Sequence, residues 1–205
     1  LIIGRVYSSG DLAYYNRGRQ FPDFIISNVN SSIDSVLLPT LASVQDKREQ
    51  VKQMTRRAIK LSTYIIAPLM LGLASVAEPM IRVVLTEKWI PALPYLRIFC
   101  ITFMFYPLHT ANLNAIKALG RSDLFLRLEV LKKIIGIVVL LLTMKLGVLA
   151  MAYSLLFTTL TSQIINSWPN RKLLNYGYME QVKDIMPNIA LACVMGVIVY
   201  PLKYL

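Results

Sequence analysis

Four polar residues, Asp23, Ser27, Asn30 and Asp34, are spaced by four, three and four within "RQFPDFIISNVNSSIDSVLLPTLASV". That spacing sets them on one face of a helix, while Phe21, Ile25 and Val29 take the other. Carboxylates inside an apolar segment are costly in lipid and normally face a bundle interior or a water-filled cavity. Two chemistries suit such a stripe. One is coupling to a moving ion, for which Asp34, deeper in the segment than Asp23, is the candidate. The other is hydrogen bonding, for which Asn30 supplies a group that both donates and accepts. Ser27, Ser31, Ser32 and Ser35 are more simply read as hydrogen-bond glue between helices.

A second polar set follows the apolar run "IFCITFMF". In "FYPLHTANLNAIKALGRSD", Thr110, Asn114 and Lys117 share a helical face, His109 and Asn112 flank it, and Pro107 can loosen the helix just before them. His109 is the chain's only histidine and a second candidate for ion coupling, although a lone His at a polar helix end is more often a structural residue. Arg97 lies earlier in the same segment. Further on come Ser154, Thr158 and Ser162, with Gln163 and Asn166 beside them. Polar groups on three segments imply a shared hydrophilic cavity.

No catalytic motif accompanies these residues. The sequence has no G-x-x-x-x-G-K-[ST] loop, no H-E-x-x-H, no C-x-x-C and no nucleophile elbow. One His and two separated Cys do not supply the ligands of a metal site, so neither an enzyme nor a cofactor is expected. A wet, partly cationic cavity without such groups points to transport.

The elements that must position these residues are membrane helices. The chain is 56% hydrophobic and 16% charged, against about 25% charged in an average soluble domain. Blocks such as "LGVLAMAYSLLFTTLTSQII" approach the ~20 apolar residues that cross a bilayer core. The expected fold is all-α, a polytopic helix bundle occupying residues 1–205 as one domain. Its spans run from about Arg19 to Val44, Ala58 to Leu85, Pro91 to Leu119, Leu126 to Lys145, Gly147 to Trp168, and Pro187 to the end. These six follow an N-terminal stub at residues 1–8. The start "LIIGRVYSSG" has neither an initiator Met nor a signal peptide, and reads as a fragment of a longer protein cut within a helix.

The net charge of +11 reports topology rather than a nucleic-acid partner. Lys and Arg crowd into alternate gaps, around 45–60, 117–127 and 170–186, which the positive-inside rule places in the cytoplasm. Residues 45–60 read as an amphipathic cytoplasmic helix, a connector able to lie on anionic lipid headgroups. Loops at 9–18, 86–90 and 145–147 are then outside, and Arg17 and Arg19 sit there against the charge rule.

At the level of residues, "LIIGRVYSSGDLAYYNRGRQFPDFIISNVNSSIDSVLLPTLASVQD", "AEPMIRVVLTEKWIPALPYLRI", "ANLNAIKALGRSD" and "PNRKLLNYGYMEQVKDIMP" resemble the Wzx-type polysaccharide flippases. These belong to the multidrug, oligosaccharidyl-lipid and polysaccharide exporter superfamily, and the likeness is close to the branch for O-antigen and colanic acid. The resemblance implies a two-lobed exporter, of which this chain would be the second lobe plus one following helix. It implies movement of an undecaprenyl-diphosphate-linked oligosaccharide to the periplasmic leaflet of the bacterial inner membrane by alternating access. The implied partners are that lipid-linked substrate, membrane lipids, the missing N-terminal lobe, and the polysaccharide polymerase and chain-length machinery.

Related flippases of lipid-linked peptidoglycan precursor share the layout of Tyr14, Tyr15, Arg17, Phe21, Pro22, Leu38 and Pro39, and in them the arginine matching Arg17 faces the cavity. Guanidinium groups hold phosphate oxygens in bidentate fashion, so Arg17 is the first choice for the diphosphate, followed by Arg19, Arg97 and Lys117. Asn28, Asn30, Asn112, Asn114 and Gln163 are the candidates for sugar hydroxyls. An ion-coupled drug exporter of the same superfamily is a rival reading, disfavoured by cations that would repel a cationic drug. A membrane glycosyltransferase or polymerase is another, disfavoured by the short outer loops.

Overall fold

The computed structural model describes residues 6–201, and most of the expected stub lies outside them. The described residues are helical almost throughout, without a strand. The expectation of an all-α membrane helix bundle holds. Four helical segments among them are long and apolar enough to cross a membrane: Arg48–Ser75, Glu87–Ala118, Val148–Leu173 and Tyr178–Val199. Six were expected; the other two helices carry too many polar or charged residues to qualify.

The first helix, α1 (Ser9–Ala42), starts ten residues before the expected boundary. Ser8 caps it, its hydroxyl accepting from Asp11 N–H while the Asp11 carboxylate accepts from Ser8 N–H, a reciprocal arrangement that satisfies otherwise orphaned donors. Residues 9–18 are therefore helix and not loop. At 34 residues, α1 is roughly 50 Å long, and it carries both arginines into the bundle. Helix α2 (Arg48–Ser75) absorbs the expected connector as its own first half. It stops at Ser75 rather than Leu85, and the chain continues through the short α3 (Ala77–Met80), a π turn at Ile81–Leu85 and a 3-10 turn at Glu87–Ala92.

The next crossing is broken, as Pro107 foreshadowed, into α4 (Leu93–Met104) and α5 (Tyr106–Ala118), with Phe105 between them. The carbonyl of Phe105 accepts from Gln163 Nε2 at 3.1 Å, so the break leaves no orphaned acceptor there. Helices α6 (Ser122–Thr143) and α7 (Val148–Leu173) are joined through Gly147, whose φ of 109° requires a glycine. The last, α8 (Tyr178–Val199), begins nine residues earlier than expected.

The helices alternate in direction so that the basic turns meet at one end. Gln45, Asp46, Arg48, Leu119, Arg121 and Leu173 line one recess there. At the opposite end the Tyr7 hydroxyl donates to Met144 C=O at 2.8 Å and accepts from Gly147 N–H at 2.8 Å. Two apolar clusters fill the interior, one around Leu41, Ile59, Leu108 and Tyr176 toward the basic end. The other lies around Met70, Leu96, Phe99 and Phe103 toward the far end.

Candidate functional site

Helix α1 is buried along one side and open along the other. Gly18, Pro22 and Ile26, one turn apart, pack inward. Gly18 is the closest approach: a Cβ there would lie 2.7 Å from Tyr95 Cβ and 2.9 Å from both Ala92 O and Leu96 N. Only glycine lets α1 lie against the start of α4, and that contact brings the 3-10 turn and its Trp89 over Arg17. The other side, Asn16, Gln20, Ser27, Asn28, Ser31, Ser32, Asp34 and Ser35, is exposed. Ser27, Ser31, Ser32 and Ser35 donate to α1's own carbonyls three or four residues back. They do not bridge helices among the described residues, and the polar stripe fronts an open surface.

Where that stripe meets the Trp89 turn, a recess of about 660 Å³ opens between Ala13, Asn16, Arg17, Arg19, Gln20, Asp23 and Trp89. The Arg17 guanidinium lies 4.7 Å from the Trp89 ring centroid, a cation–π distance, and its Nη1 donates to Gln20 Oε1 at 2.7 Å. Tyr14 meets Trp89 edge to face at 6.0 Å. Arg19 Nη2 stands 3.6 Å from Asp23 Oδ1, and its guanidinium is 5.7 Å from the Phe103 ring. Arg82 anchors the turn that carries Trp89 by pairing with Glu87 at 2.7 Å and Glu78 at 3.3 Å. Between them Thr86 adopts φ 78° and ψ 162°, a strained conformation for a β-branched residue.

Two cations facing one carboxylate leave the recess with an excess positive charge and unused N–H donors. Such a site suits an anion with several oxygens.

The other candidate residues are dispersed. Asn28 is exposed and donates to Phe24 C=O at 2.7 Å; the Oδ1 of Asn30 is buried without a partner. Asp34 is exposed and accepts from Asn114 Nδ2. Arg97 has a buried Nη2 without a hydrogen-bond partner and does not line the recess. Lys117 lies near the basic end, its Nζ 4.6 Å from the Phe125 ring. His109 Nδ1 and Asn166 Nδ2 are 2.6 Å apart.

Asn112 and Gln163, expected to meet sugar, are instead buried between helices. Asn112 and Gln181 exchange amide bonds at 2.7 and 2.9 Å, and Asn170 Nδ2 donates to Asn112 Oδ1 at 2.6 Å. Ser167 joins the same group through Gln181 Oε1 at 3.2 Å. This network ties α5, α7 and α8 together.

One cluster escaped the reading of the sequence. Asp184 on α8, its side chain 6% exposed, is held by Arg56 Nε at 2.6 Å and Lys60 Nζ at 3.0 Å. The Tyr176 hydroxyl donates to it at 3.0 Å. Burial, then the bond to Asp184, pushes the Tyr176 phenol upward. Glu180 adds pairs with Arg56 at 3.4 Å and Lys52 at 3.9 Å. The signal was present as two ladders of period four, Lys52, Arg56 and Lys60 against Glu180 and Asp184.

A family model described as "Polysaccharide biosynthesis protein" matches residues 1–94. Over 124 residues the chain is 27% identical to the teichuronic acid biosynthesis protein TuaB of Bacillus subtilis, covering 60% of this chain and 26% of the relative. It is 28% identical over 102 residues to the succinoglycan biosynthesis transport protein ExoT of Rhizobium meliloti, covering 50% and 21%. It is 25% identical over 167 residues to the lipopolysaccharide biosynthesis protein WzxC of Escherichia coli, covering 82% and 33%. The chain thus spans a fifth to a third of the length of these relatives. No solved structure matches it.

Proposed function

We propose that this chain, a multi-pass membrane relative of polysaccharide biosynthesis and transport proteins of the Wzx type, forms part of a flippase for lipid-linked oligosaccharide. In this reading the whole protein moves polyprenyl-diphosphate-linked repeat units across the bacterial inner membrane for a surface polysaccharide of the O-antigen, colanic acid or exopolysaccharide kind. Its mechanism is alternating access between two lobes, and it is not an enzyme.

The observation that carries the proposal is the cationic recess at the end of the polar stripe on α1. A diphosphate leaving water needs charged or N–H partners, and Arg17, seated against Trp89 with Gln20 as its neighbour, offers a guanidinium not paired with any carboxylate among the described residues. Arg19 supplies the second positive charge. Saccharide hydroxyls would follow the exposed side of α1 past Ser27, Asn28, Ser31 and Ser35. Asp34, with Asn114 bonded to it, is the place for ion coupling, and His109 the second.

The test uses the full-length gene in its native host. Deletion is expected to accumulate complete lipid-linked repeat units and abolish surface polymer. Wild type should restore the polymer, while Arg17→Ala at equal expression should restore less than a tenth of it. Normal lipid intermediates together with raised drug sensitivity would overturn the reading in favour of a drug exporter.

A further inference from the structure

Beside the polar stripe, α1 and α2 enclose an apolar groove that the transport reading leaves without a role. Its α1 wall is Val29, Ile33, Val36, Leu37 and Thr40. Its α2 wall is Met54, Ala58, Leu61, Ser62 and Ile65, with Arg57 at the end nearer the basic turns. Each wall runs over twelve residues, 29–40 and 54–65, roughly 16 Å of helix from first to last, and the groove encloses about 400 Å³.

Two features of this place point to an occupant. The first is charge. Arg56 and Arg57 are neighbours in sequence, yet Arg56 is locked to Asp184 and Glu180. Arg57 is exposed and has no ion pair or hydrogen bond among the described residues. A free guanidinium at the mouth of an apolar groove selects an amphiphile with an anionic, oxygen-rich head.

The second is adjacency. On α1 the groove residues Val29, Ile33 and Val36 give way around the helix to Asn28, Ser32 and Ser35, all three exposed. An apolar channel, a cation and a hydroxyl-rich strip thus lie side by side on two helices. A two-chain phospholipid would match the first two but has no saccharide for the third. One long chain bearing a phosphate and sugars matches all three.

We propose that the α1–α2 groove is a loading site for the lipid-linked saccharide. The lipid-proximal part of the polyprenyl chain lies between Val36 and Leu61, its phosphate meets Arg57, and the first sugars rest on the Asn28–Ser32–Ser35 strip. The inference rests on the transport reading and adds a second anion contact at the basic end, distinct from the Arg17 recess at the far end. Substrate would meet Arg57 before it meets Arg17.

The test places a photo-crosslinking benzoyl-phenylalanine at Val36, Leu61 or, as control, exposed Leu142 on α6 in the full-length protein. Native membranes are irradiated and the adducts identified by mass spectrometry. Polyprenyl-saccharide adducts at 36 and 61 but not at 142, reduced at least fivefold by Arg57→Ala and partly kept by Arg57→Lys, are expected.

Ordinary phospholipid alone at 36 and 61, or a segment of the protein's other lobe there, would overturn the loading site. So would adducts indifferent to Arg57→Ala. The transport reading is judged separately by the deletion strain. Phospholipid adducts with polymer lost in Arg17→Ala would remove the groove proposal alone, whereas normal polymer in the deletion strain would remove the transport reading.

Discussion

The Asp184 cluster and the Arg17 recess are built from the same residue types and do opposite things with them. At Asp184 one nearly buried carboxylate receives Arg56, Lys60 and Tyr176, and Glu180 takes up the remaining positive charge with Lys52. Every strong donor near the carboxylate has found an oxygen, and the result is a clamp between α2 and α8. At Arg17 the neighbours are an indole and an amide, which hold a guanidinium in place without neutralising it. Cations with saturated partners fix helices, and cations positioned by neutral groups stay available to a ligand.

The largest expected effect tests the clamp. Asp184→Ala would leave Lys60 without its carboxylate and Arg56 with only Glu180, at 3.4 Å, and loss of hydrogen bonds to a charged group costs about 1.5–3 kcal/mol. Both cations are partly exposed, at 40% and 45%, so water takes up some of the loss and the lower half of that range is expected. Thermal melting of the purified full-length protein measures it. Asp23→Ala in the recess is the counterpart: it should change melting by under ~0.5 kcal/mol while strengthening retention of anionic substrate. Equal destabilisation by the two substitutions would erase the distinction drawn between clamp and recess.

Next in size is the glycine that seats the recess. Gly18→Ala puts a methyl group within 3 Å of the Leu96 nitrogen in α4 and of the Ala92 carbonyl at the end of the 3-10 turn, and overpacking of this kind costs about 1–3 kcal/mol. Because Trp89 moves with that turn, polymer export should fall along with melting temperature. Gly136→Ala on α6, where an added Cβ meets nothing within 4 Å, is the control and should be neutral or slightly stabilising, by up to ~1 kcal/mol. A fall in stability with full export would separate the recess from transport.

How much of this was legible beforehand differs between the two regions. The polar stripe of α1 was readable from spacing alone, since Asp23, Ser27, Asn30 and Asp34 repeat at helical period in an apolar setting. The helix starts were not. Residues 9–18 are polar, so hydropathy assigns them to a loop, but a helix satisfies its backbone regardless of polarity, and that stretch opens α1. The polar pattern of 45–60 suits an amphipathic helix, and from Arg48 on it is the first half of α2 rather than a separate element. Asn112 and Gln163 looked free because their partners, Gln181 and the Phe105 carbonyl, are 69 and 58 residues away. Pairing at that range is decided by tertiary contact, which a single sequence does not display. The Asp184 clamp was encoded in two period-four ladders, hidden by reading the basic one as topology.

The smallest effect concerns an ion pair that resembles the clamp in chemistry and not in setting. Arg121 Nε and Nη2 donate to the two Asp123 oxygens at 2.9 Å each, and this bond, more than any other cause, holds the Asp123 carboxyl down at about 2. Both side chains are nearly half exposed and lie in the turn before α6. A carboxyl depressed in the fold contributes stability above its ordinary value of 3.8 and loses it as pH falls toward about 2. For an exposed pair that contribution is screened by salt and water. Asp123→Asn should therefore leave melting at pH 7 unchanged within error, at low salt as at high, in contrast to Asp184→Ala. If Asp123→Asn destabilised the protein as much as Asp184→Ala, burial of the carboxylate would not be what separates a clamp from a surface pair. The free, exposed state of Arg57 would then lose its value as a sign of a ligand.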